Sequence, residues 1–202
     1  MNLLHIKVSP NFNGSVSREV SGYLVNRLKT KYPDLNEIVL DLSKEPLPHL
    51  DGFTIEAFFT KPEERTELQK NAVKLSDRMV DMLLDSDLLV ISSPMWNLGL
   101  PSVLKAWFDH ITRAGRTFMF TETGSKIGLV PDRKVYIVVA SGSIFSNGPF
   151  VSHDQFTPYV NVAFQYIGIT DLNFVRVDGT HDPLTREFAL PKAISRVQEM
   201  HI

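Results

Sequence analysis

The chain contains no cysteine. That excludes disulfides, a thiolate nucleophile and a thiolate metal site, and it agrees with a cytoplasmic setting. No charge of one sign dominates: Lys and Arg number 21 against 23 Asp and Glu, a formal net charge of −2. Neither nucleic acid nor an anionic membrane is therefore expected as a partner. There is no membrane-length apolar run. Residues 135–152 carry no Asp, Glu, Lys or Arg, but Gly142, Asn147, Gly148, Pro149 and several serines break the stretch. The opening Met-Asn-Leu-Leu-His-Ile-Lys-Val has no basic region leading into a long apolar segment, so no signal peptide is read. The six histidines show no metal-ligand spacing, and no metal is expected. Three motifs are also missing. Without Gly-Lys-Ser/Thr there is no triphosphate loop, without G-x-G-x-x-G no dinucleotide grip, and without G-x-S-x-G no nucleophile elbow.

What is present centres on residues 88–115. Leu-Leu-Val-Ile (88–91) is continuously apolar, the pattern of a strand covered on both faces. Residues 92–100 read as a loop, marked by Pro94, Asn97 and Gly99. Pro101 suits the first turn of a helix over 101–114, with Val103, Leu104, Trp107, Phe108 and Ile111 on one face and Gly115 just past its end. The loop thus leaves the carboxyl end of an inner strand, where open α/β sheets bind ligands. It offers main-chain polar groups, the amide of Asn97 and the flat ring of Trp96, the parts needed to grip the polar edge of a planar heterocycle.

With 202 residues, 43% of them apolar, a single domain over 1–202 with a proper core is expected. Strands are predicted at 3–8, 38–42, 88–92, 134–140 and 172–177. Helices are predicted from Ser15 or Ser17 to about Lys31, then at 62–84, 101–114, 156–167 (ending at Gly168) and 183–199 (interrupted at Pro191). The inward stripe of the first helix is read as Val20, Tyr23, Leu24 and Leu28. That of the second is read as Leu68, Val73, Leu75, Met79, Met82 and Leu83. Residues 47–61 lack a clear period and read as loop with a short helical piece, and 117–130 as a hairpin excursion. Strands spaced by helices imply parallel pairing with right-handed crossovers. The fold class is α/β: a flavodoxin-like three-layer sandwich around a five-stranded parallel sheet in the order 2-1-3-4-5, with its ligand crevice between the first and third strands.

Three loops then meet at one rim. Ser9 to Ser17 places hydroxyls and free amides at a helix N-terminus, which suits a phosphate monoester held without lysine; the plainer reading is that Ser15 and Ser17 only cap the helix. Residues 92–98 supply the second loop, where Trp96 reads either as ring-binding or as core. Ala140-Ser-Gly-Ser-Ile144 supplies the third. Phe118 and Phe120 either floor a substrate pocket or pack under the hairpin. Phe58, Phe59, Phe145 and Phe150 are candidates for a pocket wall or a subunit interface. His153 reads as a surface histidine or as a proton donor near a ligand. A phosphoacceptor receiver shares the topology but needs clustered acids after the first strand, where this chain has Ser9-Pro-Asn.

Taken together, Ser9 with Ser15-Val-Ser17, Ser-Pro-Met-Trp-Asn-Leu (93–98), Leu-Lys-Ala-Trp-Phe-Asp (104–109), Arg-Ala-Gly-Arg-Thr-Phe (113–118), Phe-Thr-Glu-Thr-Gly (120–124), Gly148-Pro149 and Tyr-Ile-Gly-Ile-Thr-Asp (166–171) carry a resemblance over nearly the whole chain. The sequence resembles the FMN-dependent NADH-azoreductase family of azoreductases and quinone reductases. It departs from the common family pattern at Val16, Trp96 and Ser143, where Gln, Tyr and Gly are frequent.

The resemblance implies FMN as cofactor, NADH or NADPH as electron donor, quinones or azo compounds as acceptors, and a homodimer with the flavin near its interface. It assigns the FMN phosphate to Ser9, Ser15, Val16 and Ser17. The ring is assigned to Pro94, Met95, Trp96, Asn97 and Leu98 and to Ala140, Ser141, Gly142 and Ser143. Phe59, Phe118, Phe120, Phe145 and Phe150 are left for the substrate pocket. The implied reaction is ping-pong hydride transfer through flavin N5 with no catalytic side chain, the cofactor carrying the chemistry. The rival expectations are a flavodoxin-type electron carrier without a small-molecule substrate, and a scaffold of the same fold that binds no flavin.

Overall fold

The strand pattern arises from burial on two faces at once. The computed structural model describes residues 1–202. In chain order it contains β1 (Asn2–Lys7), α1 (Val16–Lys31), β2 (Asn36–Asp41), α2 (Gly52–Phe59), α3 (Glu67–Leu84), β3 (Leu88–Pro94), α4 (Ser102–Ile111), β4 (Phe118–Phe120), β5 (Lys126–Gly128), β6 (Lys134–Ala140), α5 (Phe156–Ile167), β7 (Leu172–Val177) and α6 (Arg186–Glu199). Five parallel strands form the main sheet in the order β2-β1-β3-β6-β7. Leaving out the separate hairpin of β4 and β5, that is the 2-1-3-4-5 order of a flavodoxin-like fold.

Alternate residues of each inner strand serve opposite cores. Leu4, Ile6, Leu89, Ile91, Val135, Ile137 and Val139 pack with α3, α4 and α5 through Met79, Leu83, Trp107, Phe108 and Phe164. Leu3, Leu88, Val90, Tyr136 and Val138 pack with α1 and α6 through Val20, Leu24, Ala193 and Val197. This double burial is why 88–91 is apolar without alternation. Trp107 is fully buried and stacks edge-on against Phe108, with ring centroids 5.1 Å apart. No helix is long and apolar enough to cross a membrane.

Several boundaries differ from the sequence reading for local reasons. The helix expected over 62–84 is two pieces: a single 3-10 turn at Pro62–Glu64, then α3. Arg65 turns its Nε toward the carbonyls of Ala57 and Thr60, and Thr66 with Gln69 starts the new helix with a reciprocal capping box. Leu68 lies on the outer face, 72% exposed, and Tyr23 of α1 is 48% exposed rather than inward. Helix α4 ends at Ile111, short of 114, because Arg113 N–H donates to the Thr117 hydroxyl instead of continuing the ladder, and Gly115, at φ +76°, belongs to the following turn. Helix α6 starts at Arg186, since Asp182 first closes a turn onto Leu184 and Thr185. Pro191 sits within α6 without ending it. Strand β3 runs on to Pro94, and Met95 N–H then donates to the Ala140 carbonyl at 2.7 Å.

The hairpin is fixed by one close approach. A Cβ on Gly128 would lie 2.3 Å from the Gly168 nitrogen, and Gly168 itself ends α5 at φ +111°. Two glycines therefore let the hairpin lie directly on the end of α5, where Val130 N–H bonds the Ile167 carbonyl.

Candidate functional site

Parallel strands bring the loops after β1, β3, β6 and β7 to one rim, and a cleft of about 470 Å³ opens there. Ser9, Ser15, Val16, Ser17, Pro94, Met95, Trp96, Asn97, Ala140, Ser141 and Gly142 line it, so the structure gathers the expected cofactor residues with two exceptions. Leu98 and Ser143 stand beside the cleft rather than in its wall. The Leu98 carbonyl accepts from Gln155 N–H, and that of Ser143 from the Ser141 hydroxyl and Gly179 N–H.

At one end of the cleft lies the start of α1. Ser15 is its N-cap: its hydroxyl oxygen accepts from Arg18 N–H at 3.4 Å and lies 3.2 Å from the Ser17 hydroxyl. The capping reading therefore holds for Ser15, and it leaves room for the other, because no protein group accepts the N–H of Val16 or Ser17. Two free amides at a positive helix end, with Ser9 and Ser17 beside them, form a seat for an anion. The nearby cation is engaged elsewhere. Arg18 donates through Nε to the Ser9 carbonyl at 2.9 Å and grips both oxygens of Asp41 at 2.9 and 2.8 Å. Burial raises the Asp41 carboxyl, but hydrogen bonds from Arg18 and Ser43 outweigh it and hold the group below its ordinary value. Arg18 braces the loop instead of charging it.

At the other end, Trp96 and Gly99 exchange backbone hydrogen bonds. Trp96 is 46% exposed, so it is not a core residue; Trp107 fills that role. Asn97 and Gly142 present N–H groups that no protein atom accepts. A flat ring, two free amides and a narrow gap over Gly142 make a slot for a planar group with acceptor atoms on its edge.

The sequence reading placed the loop of Pro10, Asn11 and Gly14 at the rim without singling these residues out, and it missed Thr180 and His181; all five lie in the cleft wall. Thr180 and His181 follow β7 and bond back to the third loop: Thr180 N–H to the Ser141 carbonyl at 3.0 Å, His181 N–H to that of Gly142 at 3.1 Å. Asp178 accepts from the Ser141 hydroxyl and from Phe145 and Ser146 N–H, and so sets that loop's shape. The signal was the Asp-Gly-Thr-His run at the end of the last strand, a fourth loop at the same rim.

None of the five phenylalanines lines the cleft. Phe118 packs edge-on against Tyr166 at 4.8 Å and against Phe120 at 5.8 Å, which is the packed-hairpin reading, while Phe120 remains 59% exposed. Phe145 is buried beside Phe150, whose ring neighbours His153. Phe59 is 79% exposed and, with Phe58, Tyr159, Val162 and Tyr166, lines a separate apolar groove of about 420 Å³.

The arrangement agrees with known proteins. The flavodoxin-like fold family matches residues 1–200. The chain is 81% identical to an FMN-dependent NADH:quinone oxidoreductase 2 of Hahella chejuensis over 202 residues, all of both chains. It is 43% identical to an FMN-dependent NADH:quinone oxidoreductase of Beijerinckia indica, covering 98% of each. Among solved structures it superposes on an azoreductase of Bacillus anthracis with a TM-score of 0.89 at 28% identity, covering 98% of this chain and 96% of that one. It also superposes on an FMN-dependent NADH-azoreductase of the same species in complex with FMN, with a TM-score of 0.87 at 26% identity, covering 98% and 97%. The free amides at the start of α1 and along the cleft thus belong to a member of the flavodoxin-like fold family, in its branch of NADH:quinone oxidoreductases and azoreductases.

Proposed function

We propose that the protein is an FMN-dependent oxidoreductase that takes electrons from NADH and delivers them to quinones and azo compounds. The observation that carries this reading is the set of acceptor-free amides spaced along one cleft, Val16 and Ser17 at the anion end and Asn97 and Gly142 at the ring end. The likeness to the named relatives supports it.

When bound, FMN supplies a carrier for a hydride that arrives from one substrate and leaves to another. The chain's own contribution is placement. Val16 and Ser17 N–H, with the hydroxyls of Ser9, Ser15 and Ser17, would hold the phosphate. Pro94, Met95 and Trp96 would flank the ring, and the acceptor-free N–H groups of Asn97 and Gly142 would favour negative charge on its polar edge. Leu98 and Ser143 act through the backbone turns they form. No side chain of the cleft serves as a covalent or acid–base catalyst in this proposal; the protein aligns two flat partners and excludes water from one face.

The substrate pocket is completed by a second copy of the chain, so the working form is a homodimer. The apolar groove holding Phe59, together with Phe120 (59% exposed) and Phe150 (48% exposed), supports this. NADPH serves as a second donor, donor and acceptor use the same face in turn, and the enzyme works in the cytoplasm.

The test is a visible spectrum. Purified protein, or apoprotein given FMN, shows flavin bands near roughly 450 nm that NADH bleaches anaerobically and a quinone restores. Parallel lines in double-reciprocal plots would establish the alternating mechanism, and light scattering the dimer. A colourless protein that takes up no FMN removes the reading, and flavin uptake without bleaching by NADH or NADPH turns it toward an electron carrier.

A further inference from the structure

At the open edge of the sheet, β7, α6 and the loop 144–147 enclose a second cavity of about 480 Å³ that shares no lining residue with the flavin cleft. Three cations line it: Arg176 on β7, and Lys192 and Arg196 one helical turn apart on α6. Like charges at that spacing repel, and the chain does nothing to relieve them, since neither Lys192 nor Arg196 enters any of its ion pairs.

Arg176 is held from behind. Its Nη2 donates to Asp154 and to the Thr157 hydroxyl, while its Nη1 is shielded from solvent and finds no hydrogen-bond partner, with Asp178 Oδ1 3.6 Å away. Arg176 is thus paired with two carboxylates, Asp154 and Asp178, which leaves Lys192 and Arg196 as the unpaired cations of the cavity. The one carboxylate in the wall, Asp178, is engaged by Ser141, Phe145 and Ser146 and paired with Arg176. The remaining wall is apolar and partly aromatic: Phe188, 67% exposed, with Phe174, Ile144 and Ala189.

We propose that this cavity is a second ligand site, built for a small planar aromatic anion such as an aromatic carboxylate. The anionic group meets Lys192 and Arg196, with Arg176 held behind them by its carboxylate partners, and the ring lies against Phe174 and Phe188. A cavity of this size lies in the range of small-molecule sites, and flat apolar walls with convergent cations select for charge and ring together. Lys and Arg here act as anion binders away from the flavin, so occupancy does not depend on the redox reading.

The probe is 2-naphthoate, titrated calorimetrically into the FMN-loaded protein. The expected result is one saturable site per chain, weakened by added salt. Affinity should fall about tenfold or more in K192A/R196A, a loss of charge-assisted contacts, and should also fall in F188A. Trp96→Ala should leave it unchanged. Two further ligands separate the contributions: neutral 2-naphthol and inorganic phosphate should each bind at least about tenfold more weakly, since one lacks the charge and the other the ring. The proposal is overturned if wild-type protein shows no saturable binding, if K192A/R196A binds as wild type does, if either control ligand binds as tightly as 2-naphthoate, or if Trp96→Ala abolishes the signal.

Discussion

Trp96 and Gly99 bond each other twice, Trp96 N–H to the Gly99 carbonyl at 3.1 Å and Gly99 N–H to the Trp96 carbonyl at 2.9 Å. Only two residues lie between them, and both are forced to positive φ: Asn97 at 47° and Leu98 at 71°. That is the two-residue turn whose twist matches paired extended segments. Asn tolerates the conformation; Leu does not, at roughly 1–2 kcal/mol for an L-residue held there. The strain sits at the ring end of the cleft, in the turn that carries the acceptor-free Asn97 N–H. Leu98→Val, β-branched and worse at this φ, should lower stability by about 1 kcal/mol and loosen FMN, while Leu98→Gly should retain both. Urea melts and flavin-fluorescence titrations decide; equal behaviour of the two variants would remove strain as the cause.

Ser15 has two duties that one experiment separates. Ser15→Ala should cost about 1 kcal/mol of stability through the lost cap and weaken FMN about tenfold or more through the lost hydroxyl at a charged ligand. Riboflavin, which lacks the phosphate, should bind wild type and variant alike. A parallel loss of riboflavin would mean that the serine acts only by holding α1.

Gly142 and His181 are coupled by space. A Cβ at position 142 would lie 2.9 Å from His181 Nδ1. Gly142→Ala should push the imidazole into the cleft and weaken FMN by about tenfold, about 1.4 kcal/mol, and His181→Ala in the same chain should recover most of the loss. A double-mutant cycle on FMN affinity measures the interaction; additive losses would place the damage in the backbone instead.

Phe120 is exposed and Phe118 supports Tyr166. Replacing Phe120 with Ala should change turnover with quinone while leaving FMN retention and melting temperature intact. Phe118→Ala should cost about 2 kcal/mol or more of stability, as partly buried aromatics do. If Phe120→Ala has no kinetic effect at any quinone concentration, the hairpin plays no part in the substrate pocket.

His5, in the inner strand β1, touches Glu37 of the edge strand β2 at 2.8 Å and the Ser21 hydroxyl at 3.1 Å. The hydrogen bond from His5, with help from Lys29, pulls the Glu37 carboxyl down to about 2, and burial pushes the His5 imidazole below its usual value. A neutral ring donating from Nδ1 to Glu37 reconciles the two shifts, while the Ser21 hydroxyl donates to the Arg18 carbonyl. Both folded values are depressed, so both contributions are complete above the unfolded values of 6.5 and 4.5 and are lost on acidification. Stability should fall first as the pH drops below about 6.5 and again between about 4.5 and 2. Because Glu37 is partly exposed, its share is about 1–2 kcal/mol after solvent screening. Glu37→Gln should flatten the lower limb of urea-midpoint against pH; an unchanged curve would assign that limb to other carboxylates.

The sheet was legible because β3 and β6 are buried on both sides and write that burial as unbroken apolar runs. Helix α5 was legible because a terminating Gly168 follows a clear apolar period. The split before α3 was not, since the capping box at Thr66 and the reach of Arg65 to Ala57 are side-chain events on an otherwise charged amphipathic stretch. In the site, three loops could be placed by topology, and Trp96 could be judged exposed only once Trp107 was seen to occupy the core. Thr180 and His181 escaped because what brings them to the cleft is pairing with Ser141 and Gly142, a contact spanning 39 positions that no local pattern records. None of the phenylalanines lines the cleft within one chain, because aromatic residues near a rim say little about which side of a loop they face.

Arg18 is turned away from the anion seat and spent on Asp41 and the Ser9 carbonyl. A phosphate gripped there is recognised by directed amides and a helix end, with no mobile counter-charge to be shielded by dissolved ions. Purification in strong salt should therefore leave the yellow colour in place, whereas a lysine-based seat would bleed its cofactor into the wash.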